Sequence, residues 1–113
     1  MKRTLKKRLL DALEACHAIQ DFVAEHTATD YERNLMLRSA VERQFEIIGE
    51  ALNQAEIEQP DLATLIPDLR RIVGLRNRII HGYDSVDDQL LWQVVHTHIP
   101  SLAQQLEHLL ASD

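Results

Sequence analysis

The sequence predicts an all-α protein, an antiparallel helical bundle of four to five main helices in which two long helices precede shorter ones. Three observations predict this fold class. Glycine and proline, which interrupt helices, each occur only three times among 113 residues. Residues that favour helix, above all Ala, Leu, Glu, Gln and Arg, dominate the composition. Apolar residues also recur at three- and four-residue steps, which is the period of one helix face.

The first predicted helix covers residues 2–26, and one apolar stripe along it is expected to pack inward. The stripe consists of Leu5, Leu9, Leu13, Cys16, Ile19 and Val23. Residues 26–30 break the pattern. Thr29 or Asp30 can cap the next helix, because a short oxygen-bearing side chain satisfies its free N–H groups. That second helix is predicted to run to about Ala55.

The second helix carries apolar residues on two sides, which is more than one packing face requires. One side contains Leu35, Leu37, Val41, Phe45, Ile48 and Leu52, and the other adds Met36, Ala40, Ile47 and Ala51. A helix that is apolar on two sides usually has two partners. We therefore expect a homodimer in which one of these sides meets a second copy of the chain.

A linker separates the long helices from the shorter ones. Pro60 and Pro67 indicate that residues 56–68 form this linker, with one short helical turn between the two prolines. The third main helix is predicted at residues 68–81. Gly82 is its expected C-cap, because glycine commonly ends helices at this position.

Two further helices are predicted after a loop at residues 83–85. Ser85 or Asp87 can cap the first of them, which is expected to end near His98. Pro100 opens the last helix in its first turn, where the missing N–H of proline costs no hydrogen bond.

Length and composition limit the class of protein. Residues 1–113 are enough for a single domain with its own core. The one cysteine excludes an intramolecular disulfide and suits a reducing compartment. No apolar run approaches the roughly 20 residues that a membrane span needs, and the basic start lacks the apolar region of a signal peptide. We expect a cytoplasmic protein that does not contact membranes.

The charge distribution points to one local anion site. The formal net charge is −6 at pH 7, which argues against broad nucleic-acid binding. Five of the twelve basic residues lie within residues 2–8, where a solvated helix start is the simplest interpretation. Four more, Arg70, Arg71, Arg76 and Arg78, lie on the third main helix. This helix is therefore the best candidate for binding an anion.

The third main helix has an apolar stripe that contains a charged residue. Leu69, Ile72, Val73, Ile79 and Ile80 recur on one predicted face, and Arg76 falls in the middle of that stripe. A charge on an inward face is costly unless it has a counter-charge or a ligand. The sequence thus predicts a partner for Arg76.

Glu42, Glu46 and Glu50, four residues apart, form an acidic ridge on the second helix. Three interpretations remain open: a metal site, pairing of Glu46 or Glu50 with an arginine of the third main helix, and a solvated face. Metal sites need ligands that converge from several elements, and one ridge supplies only one side. We expect no metal site.

Arg76 and His81 together suit a phosphodiester. The planar guanidinium matches phosphate oxygens, and the imidazole exchanges a proton near neutral pH. RNA supplies its own nucleophile, the 2′-hydroxyl. A base that deprotonates this hydroxyl and a cation that holds the charge would therefore suffice for cleavage without a metal. Five residues correspond to about 140° of rotation on an ideal helix, so the two side chains diverge. The two side chains can form one site if the helix unwinds at Gly82, or if two copies of the chain each contribute groups around a two-fold axis.

The alternative to an anion site is a structural role, in which Arg76 is paired with Glu50.

The octapeptide of residues 76–83, Arg-Asn-Arg-Ile-Ile-His-Gly-Tyr, resembles the R-x4-H-x-Y form of the motif of the HEPN superfamily, and the HepT-like branch is the most similar. The Ile-Gly-Glu-Ala segment at 48–51, the Val-Gly-Leu segment at 73–75 and the turn at 99–102 resemble that branch too. Asp68-Leu69 departs from the family, which often has a tryptophan after the proline. That departure affects no catalytic position.

The resemblance implies a homodimeric, HEPN-like bundle that acts as the toxin of a type VII-like toxin–antitoxin module. Its activity would be that of a metal-independent endoribonuclease with the motif at the dimer interface. Arg76 and His81 would be catalytic, and Asn77 would be the polar helper beside the arginine. Arg78 and Glu50 are possible supporting residues.

Tyr83 would be the residue that the partner, a cognate minimal nucleotidyltransferase antitoxin, modifies with AMP. The adenylyl group adds negative charge and bulk two residues from His81, and both would exclude RNA. Two other functions remain open from the sequence. One is a non-catalytic nucleotide- or partner-binding subunit of a nucleotidyltransferase complex, and the other is a purely structural helical dimer.

Overall fold

The computed structural model describes residues 1–82 and 86–112, apart from the side chain of His81. This part of the chain contains seven helices and no strand, which confirms the all-α prediction. The helices are α1 (Arg3–Val23), α2 (Ala28–Arg33), α3 (Leu35–Glu58), α4 (Leu62–Leu65), α5 (Leu69–His81), α6 (Asp88–Thr97) and α7 (Ile99–Ala111). Because α2 and α4 are short, five main helices remain, of which the first two are long.

Helices α1 and α3 form the centre of the bundle and run antiparallel. Thr4, near the start of α1, donates a hydrogen bond to Glu58 at the end of α3. α3 also packs against α5, while α7 packs against α1 and α6. α3 is therefore the element on which α5 is positioned.

The core lies between these helices and follows the predicted stripes. Val41, Phe45, Ile48 and Leu52 of α3 are fully buried. Cys16 of α1 lies in the same core, and burial raises the pKa of its thiol to about 12. The thiol is thus protonated at neutral pH and unreactive.

The start of the second long helix differs from the prediction. Thr27, rather than Thr29 or Asp30, is the first cap: it accepts a hydrogen bond from the Asp30 N–H, and Asp30 accepts one from the Thr27 N–H. This capping box begins the short helix α2. Asn34 then leaves helical geometry with φ of −113° and accepts a hydrogen bond from the Leu37 N–H, which starts α3. The caps at Thr27 and Asn34 thus divide the one predicted helix into α2 and α3.

The second apolar side of α3 is only partly covered. Ala51 is buried, and Ala40 and Ile47 are half-buried. Leu35 and Met36, at the start of α3, are 67% and 82% exposed. The exposed apolar surface of α3 is therefore concentrated at its first turn, together with Ile57 at the other end.

The remaining helices begin as the sequence predicts. The Asp87 side chain accepts hydrogen bonds from the N–H groups of Gln89 and Leu90 and so caps α6. Pro100 lies in the first turn of α7. Within residues 1–82 and 86–112, none of the helices combines the length and the apolar character needed to cross a bilayer.

Candidate functional site

The inward face of α5 is rotated relative to the predicted stripe. The buried residues are Leu69, Ile72, Leu75 and Ile79. Leu75 was not part of the prediction, whereas Ile80, which was, is 42% exposed. The prediction for Ile80 is therefore wrong, because the contact of α5 with α3 selects the face that contains Leu75. Arg76 stays on this face, four residues after Ile72 and three before Ile79, and its side chain is partly buried.

Gly49 of α3 creates the space in which Arg76 lies. This glycine is buried, and a Cβ atom added to it would overlap the Arg76 Cβ and lie 2.6 Å from the Arg76 Cγ. The stem of the arginine therefore crosses α3 in direct contact with its backbone. Sequence reasoning assigned no role to Gly49, although a glycine inside a long helix is itself a signal of close packing.

The guanidinium of Arg76 is oriented by two hydrogen bonds. One Nη donates to Glu50 Oε2 at 2.7 Å, and the other donates to Asn77 Oδ1 at 2.9 Å. Pairing of the acidic ridge with this arginine, one of the three interpretations left open from the sequence, is the one that the structure shows for Glu50, while Glu46 pairs with Arg43 of its own helix at 3.1 Å. The structure brings together three of the residues proposed from sequence, Arg76, Asn77 and Glu50.

The Arg76–Glu50 pair lies at the surface of the bundle. The side chains are 24% and 47% exposed, respectively, so water screens their attraction. The Arg76 Nε is buried and has no hydrogen-bond partner among the described residues. An arginine that served stability alone would gain from a partner at this atom. The described part of the chain thus gives this guanidinium partners at its two Nη atoms only.

Replacing Glu50 by glutamine tests how much the ion pair stabilises the fold. We expect the free energy of unfolding to fall by at most about 1 kcal/mol, because the pair is partly exposed. Urea denaturation of both proteins measures this difference. A loss of 3 to 5 kcal/mol, as for a broken buried pair, would instead favour a purely structural role for Arg76. Arg43→Gln, which breaks the exposed pair with Glu46, is the matched control.

The other proposed site residues take different positions. Arg78 is exposed and lies at a groove between α5 and α6. His81 is the last residue of α5, and Gly82 is the C-cap, as predicted, with its N–H donating to the Arg78 carbonyl. The φ angle of Gly82 is −140°, so a left-handed conformation is not the reason for glycine here. The side chain of His81 and all of Tyr83 lie outside the described residues.

Metal ligands do not cluster in the described part of the chain. No group of three or more His, Cys, Asp or Glu side chains there is arranged to hold an ion. Within the acidic ridge, Glu50 and Glu46 are engaged by arginines, and burial together with the nearby Asp88 raises the pKa of Glu42. The ridge thus consists of three carboxylates with separate surroundings.

Comparison with known proteins shows which proteins this chain is similar to. The model of the family described as "Ribonuclease HepT-like" matches residues 12–109. "Probable ribonuclease HepT" of Thermococcus cleftensis is 37% identical over 96% of this chain and 98% of its own length. "Putative RNase MJ1380" of Methanocaldococcus jannaschii is 34% identical over 94% of this chain and 96% of its own length. No solved structure matched the chain.

Proposed function

Since this chain belongs to the HepT-like ribonuclease family, we propose that it is an endoribonuclease that cleaves RNA at the C-terminal end of α5. Arg76 and His81 are its catalytic residues, and Asn77 orients the guanidinium. The observation that carries the proposal is the position of Arg76. Two hydrogen bonds fix its guanidinium at the surface, and each Nη keeps a further N–H for a phosphate.

The proposed reaction uses the 2′-hydroxyl of RNA as the nucleophile. His81 takes the proton of this hydroxyl, whose oxygen attacks the adjacent phosphorus while the bond from phosphorus to the 5′-oxygen of the next nucleotide breaks. An acid then gives a proton to that leaving oxygen. The products are a 2′,3′-cyclic phosphate and a 5′-hydroxyl. Arg76 stabilises the charge that develops on the non-bridging oxygens.

A homodimer supplies the acid. One imidazole cannot accept and donate a proton in the same step, whereas two copies of His81 around a two-fold axis provide one base and one acid. The five-residue spacing of Arg76 and His81 on one helix also favours groups from two copies. Leu35 and Met36 support an association through α3, because their exposure leaves apolar surface that a second subunit can cover.

We also propose that the protein is the toxin of a two-gene module in the cytoplasm. The sequence motif implies that a minimal nucleotidyltransferase antitoxin attaches AMP to Tyr83. Since Tyr83 follows His81 by two residues, the added phosphate and its negative charge would stand near the end of α5. RNA would then be repelled from the site.

Cleavage of RNA in the presence of excess EDTA tests the proposed function. The purified protein is expected to cut single-stranded RNA and to leave 2′,3′-cyclic phosphate ends, because the nucleophile belongs to the substrate. DNA of the same base sequence, which lacks the 2′-hydroxyl, is the matched control and should stay intact. Equal cleavage of both strands, or complete inhibition by EDTA, would contradict the proposal. Gel separation of end-labelled strands shows whether RNA is cut in EDTA, which ends it carries, and whether the DNA stays intact.

A further inference from the structure

A groove between α5 and α6 lies on the side of α5 that does not carry Arg76. Its volume is about 320 Å³. Leu75, Leu90 and Val94 form an apolar floor, and Arg70, Arg71 and Arg78 form a basic rim. The chain as a whole has a net charge of −6. This basic rim is therefore a local positive surface, which attracts an anionic partner.

Arg78 has the features of a residue kept for a ligand. Its side chain is exposed and makes no hydrogen bond or ion pair with any described residue. By contrast, Arg70 on the same helix donates a hydrogen bond to Glu56 at 3.1 Å, and Arg76 pairs with Glu50. All the N–H donors of Arg78 are therefore available for a phosphate from solution.

Arg71 is held beside the groove by a relay. Its guanidinium lies 3.0 Å from Nε2 of His98, and Nδ1 of His98 lies 3.2 Å from Asp68 Oδ1. A guanidinium can only donate, so Nε2 accepts and the imidazole proton on Nδ1 is directed to Asp68. This relay uses one N–H donor of Arg71 and fixes the direction of the others.

Gly74 keeps the groove open between these two arginines. It is exposed, and a Cβ atom added to it would meet no atom within 4 Å. Unlike Gly49, it therefore has no packing reason to be glycine, although glycine in a helix interior weakens the helix. A glycine that weakens its helix and permits no closer packing is expected at a functional surface.

The groove leads toward the end of α5. His81 follows Gly74 by seven residues, which is nearly two helical turns. Its Cα therefore lies on the same side of α5 as the Gly74 Cα and about 10 Å further along the axis. A strand lying across Gly74 in the direction of α5 would thus approach His81.

We propose that this groove binds single-stranded RNA next to the cleaved bond, with Arg71 and Arg78 holding phosphates on either side of Gly74. The inference rests on the proposed function for the direction of the strand. A single strand that lay in this groove would place its unstacked bases against the apolar floor. Asp87, whose carboxylate lines the adjoining small cavity together with Arg78, accepts hydrogen bonds from the first N–H groups of α6.

Binding of a fluorescent single-stranded RNA to full-length protein carrying His81→Ala tests this proposal without cleavage. Adding Arg78→Ala is expected to raise the Kd roughly tenfold. It should also lower the slope of log K against log salt by about 0.7, the contribution of one phosphate contact on a single strand. Gly74→Glu should abolish binding, because it fills the groove and adds a negative charge. Its melting temperature should not fall, because the side chain enters open space.

Arg8→Ala, which removes an exposed arginine of α1, is the matched control and should change the Kd less than about twofold. Equal losses from Arg8→Ala and Arg78→Ala would overturn the proposal, since general charge would then explain binding. RNA binding that persists in Gly74→Glu would also overturn it. So would a change in molecular mass with Gly74→Glu, because the groove would then be a contact between subunits. These results are independent of whether the unmodified protein cleaves RNA.

Discussion

Replacing His81 by alanine is expected to lower the rate of RNA cleavage by roughly 10²- to 10⁴-fold, the usual contribution of general acid–base catalysis. In the proposed dimer the change removes both the base and the acid, so the upper part of this range is expected. His81 is the last residue of α5, where a substitution should change the free energy of unfolding by no more than about 1 kcal/mol. Initial rates in EDTA and thermal melting of the same preparation measure both effects.

His108→Ala is the matched control for this experiment. His108 is exposed in the last turn of α7, and its removal should leave the cleavage rate unchanged. The control also tests for a contaminating nuclease, since a contaminant would give equal rates in all three preparations. Cleavage by His81→Ala at the rate of the unmodified protein would show that the imidazole is not the proton carrier.

Gly49→Ala is expected to destabilise the protein by roughly 1 to 3 kcal/mol, the usual effect of overpacking a close contact. The added methyl group would overlap the Arg76 Cβ. Because that atom is fixed to the backbone of α5, a rotation of the arginine cannot relieve the clash, and the two helices must move apart. The guanidinium would then leave Glu50, so RNA cleavage should fall as well. Urea denaturation and initial rates measure the two consequences.

Gly74→Ala separates this clash from the general effect of removing a glycine. Both substitutions replace a glycine in the interior of a helix, so both gain about 0.5 to 1 kcal/mol of helix propensity. Only Gly49 faces another helix closely, and we therefore expect Gly74→Ala to raise the free energy of unfolding. Equal stabilisation by the two variants would mean that the contact of α3 with α5 does not require the missing Cβ.

The helices and the buried core could be predicted from local properties of the sequence. Stripes such as Leu5 to Val23 identify one face of a helix because the period of 3.6 residues is intrinsic to the backbone. Prolines and caps such as Pro100 and Asp87 act within one turn, so their effect is also readable. The exception is the start of α3, where the caps of Thr27 and Asn34 together divide a helix that the apolar pattern alone makes continuous.

The candidate site was harder to predict because its parts come from two helices. The pairing of Glu50 with Arg76 was one of three open interpretations, since a charge ridge alone does not identify its partner. The predicted inward face of α5 left out Leu75 and included Ile80, because the two residues are equally apolar in sequence. The contact with α3 decides between them. Gly49 gained its role only when α5 was placed against it.

The sequence by itself determined an all-α bundle, the position of the motif at the end of one helix, and the spacing of a guanidinium and an imidazole five residues apart. These are properties of residue type and helical period, which act over short distances along the chain. The tertiary structure decided which carboxylate orients Arg76, that the pair lies at the surface, and that Gly74 borders an open basic groove. These depend on how α3, α5 and α6 pack, and packing brings together residues that are far apart in sequence.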